Sequence, residues 1–199
     1  MKLEKRAEEK KQEILEIAKD RIANYSPIAD ELARKVFDSF CVITPPETDD
    51  RWYLITTRPG GIGGGRSSKP GNIWLNWRKL LIDSAESILT VVGAIAIPWL
   101  IPLAGLIVWN KVWALSNLEM DERHAATIWT MWKNRDKENR IEHDIILNLV
   151  NEELSKYKRS PMGEEELKNI LNDLEKMECI EKDEKNKWWL REWVKTTYE

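Results

Sequence analysis

Two histidines, two cysteines and one carboxylate pair are the residues of this chain whose types could do chemistry. His124 and His143 sit in DERHAA and IEHD, each beside acids. An acidic neighbour is what a metal-bound imidazole uses to orient its ring. The two histidines fall on separate expected helices, with no cysteine near and no H-E-x-x-H spacing, so both read as capping or solvated side chains. Cys41 and Cys179 stand alone, without a Cys–His–acid context or the partners of a disulfide framework, which suits a reducing compartment. Asp83 and Glu86 lie three apart on one expected helix and could share a proton, but nothing in the sequence pairs with them. Gly60, four residues, Gly65, Arg66 and Ser67 approach a phosphate-binding loop. Arg66 stands where that loop needs lysine, and Pro70-Gly71 forbids the helix that must follow it. The expectation is a non-enzymatic protein with no catalytic residue, no metal and no cofactor.

The elements that would carry these residues are dominated by one stretch. Residues 87–110, SILTVVGAIAIPWLIPLAGLIVWN, hold no charge in a chain that is 33% Asp, Glu, Lys and Arg. Ile88 to Trp109, at about 1.5 Å per residue, would cross a hydrocarbon core of about 30 Å. Trp74 and Trp77 precede the stretch, Trp109 and Trp113 close it, and Arg78, Lys79 and Lys111 flank it. Aromatic belts and snorkelling cations have this composition, so these seven are the expected membrane-interface residues. Ile97, Pro98, Trp99, Leu100 and Pro102 are the expected inserted ones. Pro98 and Pro102 each remove a backbone donor, so a single span and a re-entrant hairpin both stay open. The other reading is a helical hairpin, bent at those prolines, that forms the core of the protein itself. Residues 51–118 hold seven cations against two acids, which adds an attraction to anionic lipid surfaces. On the lipid reading the protein is membrane-associated, with cytoplasmic domains. MKLEKRAEEKKQE places no apolar run behind its cations, so no cleaved secretory signal is expected.

The flanks are globular in composition, at 42% apolar residues overall and a net charge of −3, which implies no general attraction to nucleic acid. Residues 3–24 read as a solvated helix. Ser26-Pro27 reads as the start of a second, burying Ile28, Leu32, Val36 and Phe40. CVIT and RWYLITT, separated by PPETDD, read as a β-hairpin, and a helix is expected from Trp74. Farther on, ATIWTMW, then Ile145, Leu149, Val150, Leu154 and Tyr157, then Leu167, Ile170, Leu171, Leu174 and Met177 mark three helical faces. IEK, a turn at DEKN and KWWLREWV follow as a two-stranded wing. The fold class expected is mostly α with small β-hairpins. Its divisions are a helical domain with a hairpin at 1–58, a Gly-rich basic linker at 59–72, the apolar segment at 73–118 and a C-terminal domain at 119–199.

Helices that lead into a β-wing through LEKMECIEK resemble the winged-helix superfamily over roughly the last eighty residues. That resemblance implies a regulator that reads DNA with the helix before the wing. The matching helix departs from it, with Glu164, Glu165, Glu166, Asp173, Glu175, Glu178 and Glu181 against Lys168, Lys176 and Lys182. Such a surface repels phosphates. The expected partners are therefore anionic membrane lipids and a protein docked by the C-terminal domain, with a homo-oligomer also open and DNA unfavoured. The leading function is a membrane-associated adaptor or membrane-perturbing effector. The alternative is a winged-helix regulator or structural interaction protein whose apolar hairpin is its core.

Overall fold

A computed structural model describes residues 2–45, 47–48, 68–69, 71–86, 97–113 and 118–198. Among them the chain is mostly helical, with seven helices and small antiparallel sheets. Helix α1 (Lys2–Ile22) buries Ile14, Leu15, Ala18 and Ile22, a stripe at intervals of three and four, and leaves its Glu/Lys pairs in solvent. Ser26 Oγ accepts the Ile28 N–H at 3.3 Å, and helix α2 (Ala29–Phe40) starts just after it. Its buried face is Ala29, Leu32, Ala33, Val36, Phe37 and Phe40.

Strand β1 (Cys41–Thr44) follows without a loop. RWYLITT, its expected hairpin partner, lies outside the described residues. Among the described ones β1 pairs with β4 (Gly71–Asn76), Cys41 opposite Leu75 and Thr44 opposite Asn72. The two-residue strands β2 (Glu47–Thr48) and β3 (Ser68–Lys69) pair along the same stretches of chain. The helix expected from Trp74 begins three residues later, because Asn72-Ile73-Trp74-Leu75-Asn76 alternates as a strand with Ile73 and Leu75 inward. Asn76 Oδ1 then accepts the Lys79 N–H at 2.9 Å and caps helix α3 (Trp77–Glu86). The other edge of β4 is taken by the last strand, β8 (Trp193–Tyr198), with Leu75 opposite Val194. Among the described residues, the sheet that starts at residue 41 thus takes its third strand from residues 193–198.

Helix α4 (Leu100–Trp113) overturns the membrane expectation. No described helix is long and apolar enough to cross a membrane. At 14 residues α4 is about 21 Å long, well short of a hydrocarbon core. Every residue from Leu100 to Asn110 is buried, with α1, α2, α3 and α5 packed around it. A helix apolar on all sides needs an apolar surrounding on all sides, and here protein supplies it. Trp77, Trp99 and Trp109, expected at or in lipid, are no more than 1% exposed. Leu100 and Pro102 are buried beside them, and Ile97 and Pro98 are half-buried. The transmembrane helix and the membrane-associated location are therefore corrected. Residues 87–96, the first part of the expected span, lie outside the described residues, as does most of the Gly-rich linker. Gly105 lets α3 approach α4: a Cβ there would stand 2.5 Å from Leu80 Cδ1.

The C-terminal part runs α5 (Glu122–Lys133), β5 (Arg140–Glu142), α6 (His143–Lys156), α7 (Glu164–Lys176), β6 (Ile180–Lys182) and β7 (Lys187–Leu190). Its sheet has the order β5-β7-β6, so the wing hairpin folds back onto the short strand between the first two helices. Helix α5 is buried from His124 to Trp132, packed against α4, α6 and α7. One hydrophobic cluster extends from Ile14 to Val194.

Candidate functional site

The central segment is fastened to the C-terminal helices by its tryptophans. Trp109 Nε1 donates to the Met177 carbonyl at 2.9 Å, and Trp99 Nε1 donates to Glu122 Oε1 at 3.0 Å. The Tyr157 ring meets Trp99 edge-on at 4.9 Å. Of the flanking cations, Arg78 lies 3.4 Å from Glu192 Oε1, and Lys79 Nζ donates to the Ser39 carbonyl at 3.3 Å. Trp74 is half-buried on the outer face of the β1-β4-β8 sheet, beneath Lys195 Nζ at 4.6 Å. Lys111 and Trp113 end α4. Of the residues grouped by sequence as a membrane interface, Trp77, Trp109, Trp74, Arg78 and Lys79 are dispersed over the core, a sheet face and ordinary polar contacts.

What the fold does bring together is the start of α5 and the first half of α7. Asp121 caps α5, its Oδ1 accepting the N–H of Arg123 at 2.9 Å and of His124 at 3.1 Å. The His124 Nδ1 lies 2.7 Å from the same oxygen. That distance assigns the ring proton to Nδ1, which makes the 3.4 Å approach of the Asp121 N–H to the same nitrogen the weaker contact. Burial works to raise the Asp121 carboxyl, but the hydrogen bonds from His124 and from the backbone outweigh it and hold it below the usual range. On its other side the imidazole faces α7. Nε2 is 3.7 Å from Asp173 Oδ2 and has no hydrogen-bond partner, although His124 is only 7% exposed.

Around this pair opens a cleft of about 570 Å³ lined by Asp121, His124, Glu164, Glu165, Glu166 and Asp173 among others. Arg123 occupies Glu166 at 3.0 Å, and Lys176 occupies Asp173 Oδ1 at 3.0 Å. Glu164 and Glu165 are exposed and in no ion pair among the described residues. Sequence reading places His124 and these acids on two helices without joining them. The Asp121-x-x-His124 spacing, an N-cap and its third helical residue, is the signal that could have found the first half.

The wing carries a second set. Trp188 Nε1 donates to His143 Nδ1 at 2.9 Å, so this histidine positions the wing's buried indole. Trp189 points out of the same strand and is exposed. The cysteines lie elsewhere: burial pushes the Cys41 thiol up to about 12 and the Cys179 thiol well above its ordinary value. Neither is a thiolate at neutral pH, the form in which cysteine attacks. Among the described residues no group of three or more His, Cys, Asp or Glu could hold a metal. No protein-family model, no curated protein and no solved structure matches the chain.

Proposed function

We propose that this chain is a non-enzymatic interaction protein in which residues 119–190, through the end of β7, are a winged-helix module that docks a protein partner. Helix α4, the described helical part of the apolar stretch, serves as the core of the body that carries it. The observation that carries the reading is an acidic helix placed directly before a β-wing. Three helices lead into the hairpin β6–β7, and α7 meets solvent with five acids against two lysines. In winged-helix proteins that bind DNA, the helix at this position enters the groove. Here its charge opposes phosphate, and the same charge attracts a basic protein surface. The exposed Trp189 on the wing suits a protein contact, where tryptophan commonly anchors.

The test is a pair of binding measurements on the full chain. A labelled duplex of random sequence at low salt should not be retained at micromolar protein. Chemical cross-linking in the native host, with the cross-linked residues mapped, should concentrate on α7 and the wing. Tight, salt-sensitive retention of the duplex would overturn the reading in favour of a DNA regulator.

A further inference from the structure

We infer that the cleft between α5 and α7 accepts a cationic side chain, an arginine or lysine of the partner, at the acceptor pair formed by His124 Nε2 and Asp173. The inference rests on the docking reading and specifies its chemistry. With Nδ1 engaged by Asp121 at 2.7 Å, Nε2 is the ring atom left to meet a partner. Asp173 Oδ2 is an acceptor. The two stand 3.7 Å apart, beyond hydrogen-bond distance, and Nε2 has no hydrogen-bond partner in a site where His124 is 93% buried. A buried polar atom without a partner is unfavourable, and a donor reaching both Nε2 and Asp173 Oδ2 relieves it. A nitrogen carrying several N–H groups completes both, and ammonium and guanidinium are the side-chain groups of that kind.

The surroundings select a positive charge. Five carboxylates line the cleft, and Arg123 and Lys176 are the cations paired with them. The N-terminus of α7 also opens here, which would favour an anion. Glu164, Glu165 and Glu166 already place three negative charges on that first turn, so an incoming anion is repelled. Glu164 and Glu165 stand on the rim, where a basic segment would meet them before its side chain reaches Asp173.

The experiment uses the full chain, ¹⁵N-labelled, and reads both imidazoles by long-range ¹H–¹⁵N correlation. The probe is acetyl-Gly-Arg-Gly-Arg-Gly-amide, with the glutamine analogue as control. In the free protein the His124 ring should show a proton on Nδ1 and none on Nε2. The arginine peptide should move the Nε2 resonance and leave His143, which is engaged by Trp188 at 2.9 Å. The glutamine peptide should move neither. Asp173→Asn should weaken the arginine peptide about tenfold, as loss of a charge-assisted hydrogen bond does. Glu165→Gln, at an exposed position that no fold contact needs, should weaken it by a smaller factor, which guards against an unfolded Asp173 variant. Glu181→Gln on the wing should leave it unchanged. A ring already protonated on both nitrogens, a peptide that moves neither histidine, or equal losses at Asp173 and Glu181 would each overturn the site. Those results would leave cross-linking at α7 intact, whereas duplex binding would sink the docking reading whatever the cleft does.

Discussion

Helices α4 and α7 differ by one residue in length, 14 against 13, and by almost everything in how their sequences meet their surroundings. LIPLAGLIVWNKVW has no polar side, and the helix has no solvent side from Leu100 to Asn110. EEELKNILNDLEK alternates sides strictly: Leu167, Ile170, Leu171 and Leu174 face the core, and the charged residues face water or the cleft. An amphipathic helix declares which face is buried, and so fixes its own orientation. An apolar helix declares only that it is buried, leaving open whether lipid or protein does the burying. In this chain the answer comes from α1, α2, α3 and α5, and of these α1 and α2 lie far away in sequence.

The strongest way to break this contrast is to place a charge on each helix. Leu103 is 1% exposed in α4, and Leu103→Asp buries an unpaired carboxylate, which costs several kcal/mol. Circular dichroism should show no cooperative thermal melt for this variant. Asn172 is exposed on α7, and Asn172→Asp should stay within about 0.5 kcal/mol of the parent. If Leu103→Asp melts like the parent, α4 is not the core element described here.

A milder test addresses the junction of the two regions. Asp121 caps α5, the helix that packs against both α4 and α7. Asp121→Ala should cost about 1 kcal/mol at neutral pH, the usual value of such a cap. The pH dependence has a definite sign. The Asp121 carboxyl is held below its ordinary value in the fold, so its contribution is complete above the unfolded-chain value of about 3.9. As pH falls below that and through the folded value, the parent protonates and the contribution is lost. The stability gap between parent and variant should therefore narrow below about pH 4 in denaturant titrations. A gap that stays constant down to pH 2 would show that the ionised carboxylate is not what caps the helix.

The same division between local and distant partners separates what was legible in the sequence from what was not. The faces of α2 and α7 follow from spacing alone, and so does the wing with its DEKN turn. On α6 the expected Ile145 is exposed and Ile146 takes the buried place, and KWWLREWV breaks after Leu190, its second half pairing with β4 as β8. The mostly helical class with small sheets follows from those pieces. The partner of β1 does not. RWYLITT, close enough to CVIT to suggest a hairpin, lies outside the described residues, while β4 begins 27 residues after β1 ends and β8 lies at the far end of the chain. GNIWLN does alternate as a strand should, but it runs directly into the helix from Trp77, and the two periods blur. In the cleft, the Asp121–His124 half is a local cap and readable. Asp173, which turns His124 Nε2 into half of an acceptor pair, comes from a helix some fifty residues later. Strand β5, at three residues, is too short to show a period, yet its turn is legible. DKENR before β5 and DEKNK before β7 share Asp at the first position, Asn at the fourth and a cation at the fifth.

That shared spelling supports the last and smallest prediction. In the first turn Asp136 Oδ1 accepts the N–H of Glu138 at 2.8 Å and of Arg140 at 2.9 Å; in the second Asp183 Oδ1 accepts those of Lys185 and Lys187, both at 2.9 Å. The fourth residue is left-handed in both, with φ 61° at Asn139 and at Asn186. Each asparagine also closes one end of the β5–β7 ladder through its carbonyl, Asn139 to the Leu190 N–H at 3.0 Å and Asn186 to the His143 N–H at 3.3 Å. Glycine keeps that carbonyl and accepts the same φ, while it gives the unfolded chain more freedom to lose. Asn139→Gly and Asn186→Gly should therefore each change stability by no more than about 0.5 kcal/mol. Valine cannot adopt the angle without strain, and either Asn→Val change should cost about 1 to 2 kcal/mol. Urea melts of the four variants measure this directly. Matching pairs mean that one turn design frames both ends of the ladder. A difference of more than about 1 kcal/mol between Asn139→Val and Asn186→Val would mean that the wing turn, with solvent on most sides, bears less of the sheet than the turn that follows α5.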